Sequence, residues 1–375
     1  MRSVGAALAL GLGCLLAACD SPETVPASEP RLAIVNEDGD VVTVSADGTD
    51  PEVVTANVEG GRLFQPVWSP DGESLAWGRI GPPGAAVAIA SSGEVDEIET
   101  DDLPFYISWA PDSTRLALLH NRSGGEIDLV MVDADSLSSS KIEHGAPFYF
   151  SWERDSSSVV AHIGDDRFVR LGVDGSMEPL GPTDRGYLAP FVTDAGVAHL
   201  LDGNLTLGGE AVARVPGSAL LVANDDGTRI AIAAAGGGVT VADAPAIPPN
   251  RLVVVDVRTG EIEEVSSSPA AGFFWSPEGE SLLALVIGDN ELIPTVWRPG
   301  RGVVAFESFR PPQSFLQEVL PFFPQYAQSF SLWAPDGTAF AYPGEMDGDS
   351  GIWIQALDDT APVRVTDGTW VTWSP

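Results

Sequence analysis

Cysteine is nearly missing from this chain, with only Cys14 and Cys19 among 375 residues. Cys14 falls in an N-terminal apolar run that reads as a removable leader, so the mature chain keeps one cysteine and no disulfide framework is possible. Lysine is scarcer still: Lys141 stands alone, and 19 Lys and Arg face 54 Asp and Glu, a formal net charge of −35. Affinity for phosphate polymers rests on cationic side chains, so DNA, RNA and anionic lipid headgroups are poor candidate partners. The acidity reads as solubility or adaptation to salt, with a cationic partner as the functional alternative. No G-x-S-x-G elbow and no P-loop occurs, and no catalytic domain follows the repeats described below, so hydrolase or nucleotide chemistry has no support in motifs. No cofactor is called for.

What the chain does have is a large apolar share and many turn-formers. Hydrophobic residues make up 44% against 19% charged, enough for a sizeable core, so wholesale disorder is unexpected. With 40 Gly and 30 Pro, the chain reads as many short elements joined by tight turns rather than long helices. Length alone would suggest two or three domains, but closed all-β folds run this long as one unit.

Residues 1–18 have the tripartite layout of a secretory signal, with Arg2 followed by the apolar or small stretch Val4 to Ala18. Its 15 residues fall short of the roughly 20 needed to span a bilayer. The stretch ends Leu15-Leu16-Ala17-Ala18-Cys19, which resembles the lipobox of bacterial lipoproteins. That resemblance implies that Cys19 is lipidated, with the exported chain held at the outer face of the cytoplasmic membrane or another periplasm-facing leaflet; Asp20 favours the inner membrane. Asp20 to Pro30 has three prolines and no apolar periodicity, so residues 19–30 read as a lipidated cysteine and a flexible tether.

One motif recurs through the rest. Trp68-Ser69-Pro70-Asp71-Gly72 is followed by Ser74-Leu75-Ala76-Trp77, and copies begin at Trp109, Trp275 and Trp333. Weaker copies begin at Trp152, Val192 and Ala223, and the chain stops on Trp373-Ser374-Pro375. In the pentapeptide Pro presets φ, Asp bonds nearby backbone and Gly accepts a left-handed conformation, so each copy reads as a hairpin turn after a strand ending in Trp. Further β-rich runs follow, such as Ile127 to Val132 and Ser140 to Glu143, and four strands per roughly 40 residues make one propeller blade.

The repeat resembles the TolB-like or WD-like propeller repeats of bacteria, whose hallmark is the WSPDG turn before an LAW-type strand. The resemblance covers residues 31–375 and implies an all-β fold, a single propeller in an exported setting. The column at 68, 109, 152, 192, 223, 275, 333 and 373 predicts eight four-stranded blades, or seven if the short copy at Val192 is incomplete. Leu32 to Val35, Val41 to Ala46 and Pro51 to Ala56 then supply strands two to four of a blade whose inner strand is Gly368 to Trp373, closing the ring. The chain is expected to act as a monomer.

The repeated Trp, Asp and Gly read as structural, which leaves two insertions as functional candidates. Gly236 to Asn250 interrupts the blade of Ala223, and residues 308–327 precede the blade of Trp333; both are expected on one rim. The second holds Phe309, Arg310, Phe315, Phe322, Phe323 and Tyr326, with a short helix expected over Gln313 to Val319. Aromatic and Arg side chains anchor binding sites, so these six are the candidate contacts for an envelope protein or another envelope component. The same rings would equally serve to fold the loop back into the channel mouth.

A metal is the alternative. His120, His162 and His199 fall near the ends of second strands in three consecutive blades, and oligogalacturonate lyases, on a related propeller, place histidines around a metal. That reading would make the chain a metal-dependent carbohydrate-active lyase or hydrolase, although the three do not share one alignment column. The acidic turns Glu37-Asp38-Gly39-Asp40 and Asp347-Gly348-Asp349 lack the fuller ligand pattern of a calcium loop. The favoured expectation is a non-catalytic binding module.

Overall fold

The computed structural model describes residues 29–122, 124–185, 189–215, 218–235, 240, 248 and 250–375. The leader, Cys19, nearly all of the tether and most of the Gly236 to Asn250 insertion lie outside the described residues. Eight antiparallel sheets follow one another along the chain. Seven have four strands, and the eighth has three, Ala339–Met346, Asp349–Ala356 and Val363–Thr366, with its inner strand reduced to a bridge between Trp333 and Phe340. The short copy at Val192 is a full blade, with strands Phe191–Thr193, Gly196–Leu201, Asn204–Leu207 and Glu210–Arg214, so the ring has eight members.

The seam is where the pattern of the chain ends placed it. Trp370–Trp373 pairs antiparallel with Arg31–Val35, Leu32 opposite Trp373 and Val35 opposite Trp370, and Val41–Ser45 and Glu52–Thr55 complete the blade. Arg31 begins its strand beside the pentapeptide turns: its amide donates to Ser374 Oγ at 2.9 Å and its carbonyl accepts from Ser374 N at 2.8 Å. One face of the ring therefore carries the turns and the point where the chain enters. The opposite face, called the rim below, carries the loops from second to third strands and from blade to blade.

The turns have the chemistry their sequence implies. In the first copy Gly72 N donates to Ser69 O at 2.8 Å with φ +73° at Gly72, and Asp71 Oδ1 accepts from the Glu73 amide at 3.0 Å. The second and third copies put Ser113 and Ser156 where glycine is expected, at φ +62° and +59°. Their hydroxyls explain the substitution, because Ser113 Oγ accepts from Asp71 N at 3.1 Å and Ser156 Oγ from Asp112 N at 3.0 Å, each in the blade before. The tryptophan column makes a second set of stitches. The indole N–H groups of Trp109, Trp275 and Trp333 donate to Val67 O, Val222 O and Phe274 O, in each case the residue before the preceding blade's column position. Between these stitches the blades bury Val, Leu, Ile and Ala in a nearly continuous core. At about 25 cal/mol per Å² of apolar surface, such burial supplies the stability that a disulfide-free domain needs.

Candidate functional site: a channel plug and its two mouths

The insertion before the eighth blade enters by sewing two blades together at the rim. Phe309 exchanges backbone hydrogen bonds with Leu292 of the seventh blade at 2.9 and 3.0 Å, and Arg310 does the same with Glu345 of the eighth at 2.8 and 2.9 Å. Arg310 Nη1 also meets Glu345 Oε1 at 2.9 Å, so this cation is already paired. The Phe309 ring lies 4.3 Å from that of Tyr342 and so near Gly344 that a Cβ there would come within 2.5 Å of it. Only glycine leaves room.

The chain then turns into the channel. Phe315–Val319 forms a π-helical turn, Leu320–Phe322 a 3₁₀ turn and Phe323–Tyr326 a single α turn, with Pro321 and Pro324 near their starts, where a missing N–H costs nothing. Helix was expected over Gln313 to Val319, and helical structure does begin at Gln313, turning π-helical over Phe315–Val319. Inside, the segment bonds to inner strands around the ring. Tyr106 Oη reaches Gln325 O at 3.1 Å and Ser329 Oγ at 2.7 Å, and Tyr326 Oη donates to Phe105 O at 2.6 Å. The Gln325 carboxamide accepts from Phe150 N at 2.9 Å and donates to Phe150 O at 2.8 Å, as a neighbouring strand would. Phe323 packs edge-on against Phe273 at 4.7 Å, Phe330 tilts over Trp370 at 4.9 Å, and Glu318 pairs with Arg62 at the second blade. The insertion is a plug that closes the channel.

This arrangement divides the six expected contact residues. Phe309, Phe315, Phe323 and Tyr326 are buried in the plug and its seat, where desolvation drives the Tyr326 hydroxyl far above its ordinary pKa and keeps it protonated. Arg310 is exposed but paired, and Phe322 is the one ring of the set turned outward, 39% exposed.

Phe322 stands over an apolar cavity of about 230 Å³ at the rim, between the third and fourth blades. Phe105, whose ring lies 6.1 Å away, forms one wall, and Ile127, Pro147 and Tyr149 line it too. Sequence reasoning missed these partners. Their only signal was the aromatic residue placed shortly before the column in several inner strands, as in Phe105-Tyr106 and Phe148-Tyr149-Phe150. The opposite mouth, on the turn face, is a wider and more polar funnel of about 570 Å³, floored by Ser329, Phe330 and Ser331 and walled by Trp68, Trp275 and Trp373.

The histidines do not form the metal site considered from sequence. Among the described residues no three His, Cys, Asp or Glu side chains come together to hold an ion, which also leaves the two acidic turns without a ligand set. The physical reason is the placement of each histidine within its own blade. His120 lies opposite Asp128 in the third blade, His162 opposite Phe168 in the fourth, and His199 stacks on Phe168 at 4.5 Å with Thr206 Oγ1 3.1 Å from its Nδ1. Burial, with a smaller contribution from His162, holds the His199 pKa below its ordinary value. His144 is exposed at the rim, 3.3 Å from Glu143 and 3.7 Å from Glu126.

No protein-family model and no curated protein matches the sequence. Among solved structures, the chain is similar to a eukaryotic initiation factor at 11% identity, covering 92% of this chain and 99% of that one with a TM-score of 0.55. The C-terminal WD40 domain of Sif2 matches at 10% identity, with 89% and 94% covered and a TM-score of 0.54. The chain has the β-propeller fold. TolB from Acinetobacter baumannii is also similar, at 14% identity and a TM-score of 0.43, over 73% of this propeller but only 62% of the TolB chain. At such identities the likeness is one of fold, and what this propeller does has to be argued from its own plug and mouths.

Proposed function

We propose that the chain is a lipid-anchored, non-catalytic binding propeller of a bacterial cell envelope that engages a protein or another envelope component through its rim. The observation that carries this reading is the cavity beneath Phe322. The insertion spends its other aromatic rings on filling the channel, yet sets one large ring outward over an apolar hollow, and exposed apolar patches bordered by polar residues are a mark of interaction surfaces. Polarity of the ring agrees with it: the chain enters at Arg31 on the turn face, so a tether from Cys19 leaves the rim on the side away from its attachment. No helix among the described residues is long and apolar enough to cross a membrane, which makes the lipobox the feature that would hold the chain at one.

Deleting residues 309–326 would remove buried rings and collapse the channel, so the test is a point change. Photo-crosslinking in cells with the intact chain and with Phe322→Ser is expected to capture a partner with the first and lose it with the second. Capture that is unchanged by Phe322→Ser would reject the rim. Anchoring is tested separately by Cys19→Ala, which is expected to move the chain from the membrane fraction to the soluble one.

A further inference from the structure

We infer that the occupant of the Phe322 cavity is a cationic polypeptide segment that inserts one aliphatic or aromatic side chain; this rests on the reading of the rim as a binding surface and names the chemistry of its partner. The size of the hollow gives the first part of the argument. At about 230 Å³ it lies below the roughly 300–1,000 Å³ of sites that enclose a whole small molecule, and fits a single anchor side chain. Its lining is mainly apolar or aromatic, and the Gln325 carboxamide within it is already committed to Phe150, so the cavity favours an apolar group over a polar one.

Charge around the mouth gives the second part. Cations beside the cavity pair with acids of the third blade: Arg122 with Glu126 at 3.5 Å, Lys141 with Asp128 at 2.6 Å and, from the fourth blade, Arg167 with Glu143 at 3.6 Å. The acids are in excess. Asp101 and Asp102 stand exposed just before the strand that carries Phe105, and neither has an ion pair among the described residues. Asp165 and Asp166, likewise exposed and without an ion pair among the described residues, follow Gly164, whose N–H donates at 2.8 Å to the carbonyl of the cavity-lining Pro147. Two pairs of unneutralised carboxylates thus flank one apolar hole. An acidic segment would meet repulsion on both sides, whereas a basic one gains attraction, faster encounter and the apolar anchor together.

The test measures fluorescence anisotropy of dye-labelled peptides with the full chain. Three Gly/Ser-based peptides are compared: a central phenylalanine between lysines, the same with serine for phenylalanine, and a central phenylalanine between glutamates. The lysine–phenylalanine peptide is expected to bind, and to weaken about tenfold or more with Phe322→Ser or with the pair Asp165→Asn and Asp166→Asn. Phe322→Leu is expected to retain binding, which separates loss of the site from loss of the fold, and raised salt is expected to weaken the complex. Binding of the glutamate peptide as tightly as the lysine peptide, still lost with Phe322→Ser, would overturn the charge assignment and leave the rim a binding surface. Equal binding of the serine and phenylalanine peptides, indifferent to Phe322→Ser, would remove the rim itself.

Discussion

The side chain of Gln325 clamps the backbone of Phe150 in both directions, accepting from its N–H at 2.9 Å and donating to its C=O at 2.8 Å across 175 residues of sequence. Inner strands of a propeller present a row of such groups to the channel, and the plug meets those of the fourth blade with one buried carboxamide. Gln325→Leu keeps the bulk but leaves a buried donor and acceptor without this partner, at about 1–3 kcal/mol for each unsatisfied group. Because Gln328 Nε2 also reaches Phe150 O, at 3.2 Å, the loss falls mainly on the N–H. A fall in unfolding free energy of about 2 kcal/mol is expected in urea titration. Gln325→Glu keeps an acceptor for the N–H but sets a buried carboxylate against the Phe150 carbonyl, so it is expected to cost at least as much as the leucine variant.

The blade stitches predict an unusual ordering at Ser113. A non-glycine residue at φ +62° carries a conformational cost of about 1 kcal/mol, which glycine would relieve. Against that, the Ser113 hydroxyl accepts from Asp71 N in the preceding blade, a contact worth a similar amount. Ser113→Gly trades one for the other and is expected to lie within about 0.5 kcal/mol of wild type, while Ser113→Ala keeps the strain, loses the contact and is expected to fall by about 1 kcal/mol. Denaturant midpoints of the two variants check the order. An alanine variant as stable as wild type would mean the hydroxyl has no such role, and one more stable than the glycine variant would mean the backbone there is unstrained.

Much of the ring was legible in the sequence because its signals are local. Trp-Ser-Pro-Asp-Gly turns specify hairpins residue by residue, and counting them puts the seam strand over Gly368 to Trp373, where the strand Trp370–Trp373 forms. The same counting expected a full inner strand at Trp333, where only a bridge to Phe340 forms. The reason is competition from the plug, since Ser331 and Leu332 leave the channel there, and the Ser331 carbonyl accepts from Trp373 N at 3.2 Å in the seam blade. The site was less legible. The aromatics of the insertion were visible, but whether a ring faces inward depends on the inner strands of other blades. Phe323 finds Phe273 and Tyr326 finds Tyr106, whereas its neighbour Phe322 finds Phe105 at the rim, and no spacing along the chain distinguishes the three.

Closure predicts a large effect from a short truncation. Removing residues 370–375 deletes the strand paired with Arg31–Val35, exposes the buried edge of Leu32, Ala33 and Ile34, and removes Trp370 from its contact with Phe330 in the plug. Loss of one buried tryptophan alone costs about 3–5 kcal/mol, and the open edge adds a surface for strand pairing between molecules. The truncated chain is expected to be strongly destabilised and to form soluble aggregates in size-exclusion chromatography. An unchanged melting transition with a monomeric profile would rule out the eight-blade seam.

The last prediction concerns pH. His199, stacked on Phe168, has its pKa held below the ordinary 6.5, first by burial and then by His162, and the bonds and charges that oppose this do not outweigh it. A histidine depressed in the fold binds its proton more readily when unfolded, so its contribution to stability is complete above about pH 6.5 and is lost as pH falls from there toward the folded value. The slope from one such group cannot exceed about 1.4 kcal/mol per pH unit. Aspartates of the turns act lower. The Ser157 amide and then its hydroxyl hold Asp155 below 3.8, and Thr49 does the same for Asp47, so their contribution is present above 3.8 and disappears only as pH drops through the lower folded values. Between pH 7.5 and 5.5 the histidine therefore acts without the turns. Urea unfolding at those two pH values is expected to show a smaller pH dependence in His199→Gln than in wild type, while general charge repulsion, common to both chains, cancels in the comparison. An identical pH dependence in the two would show that His199 takes up its proton as freely in the fold as out of it.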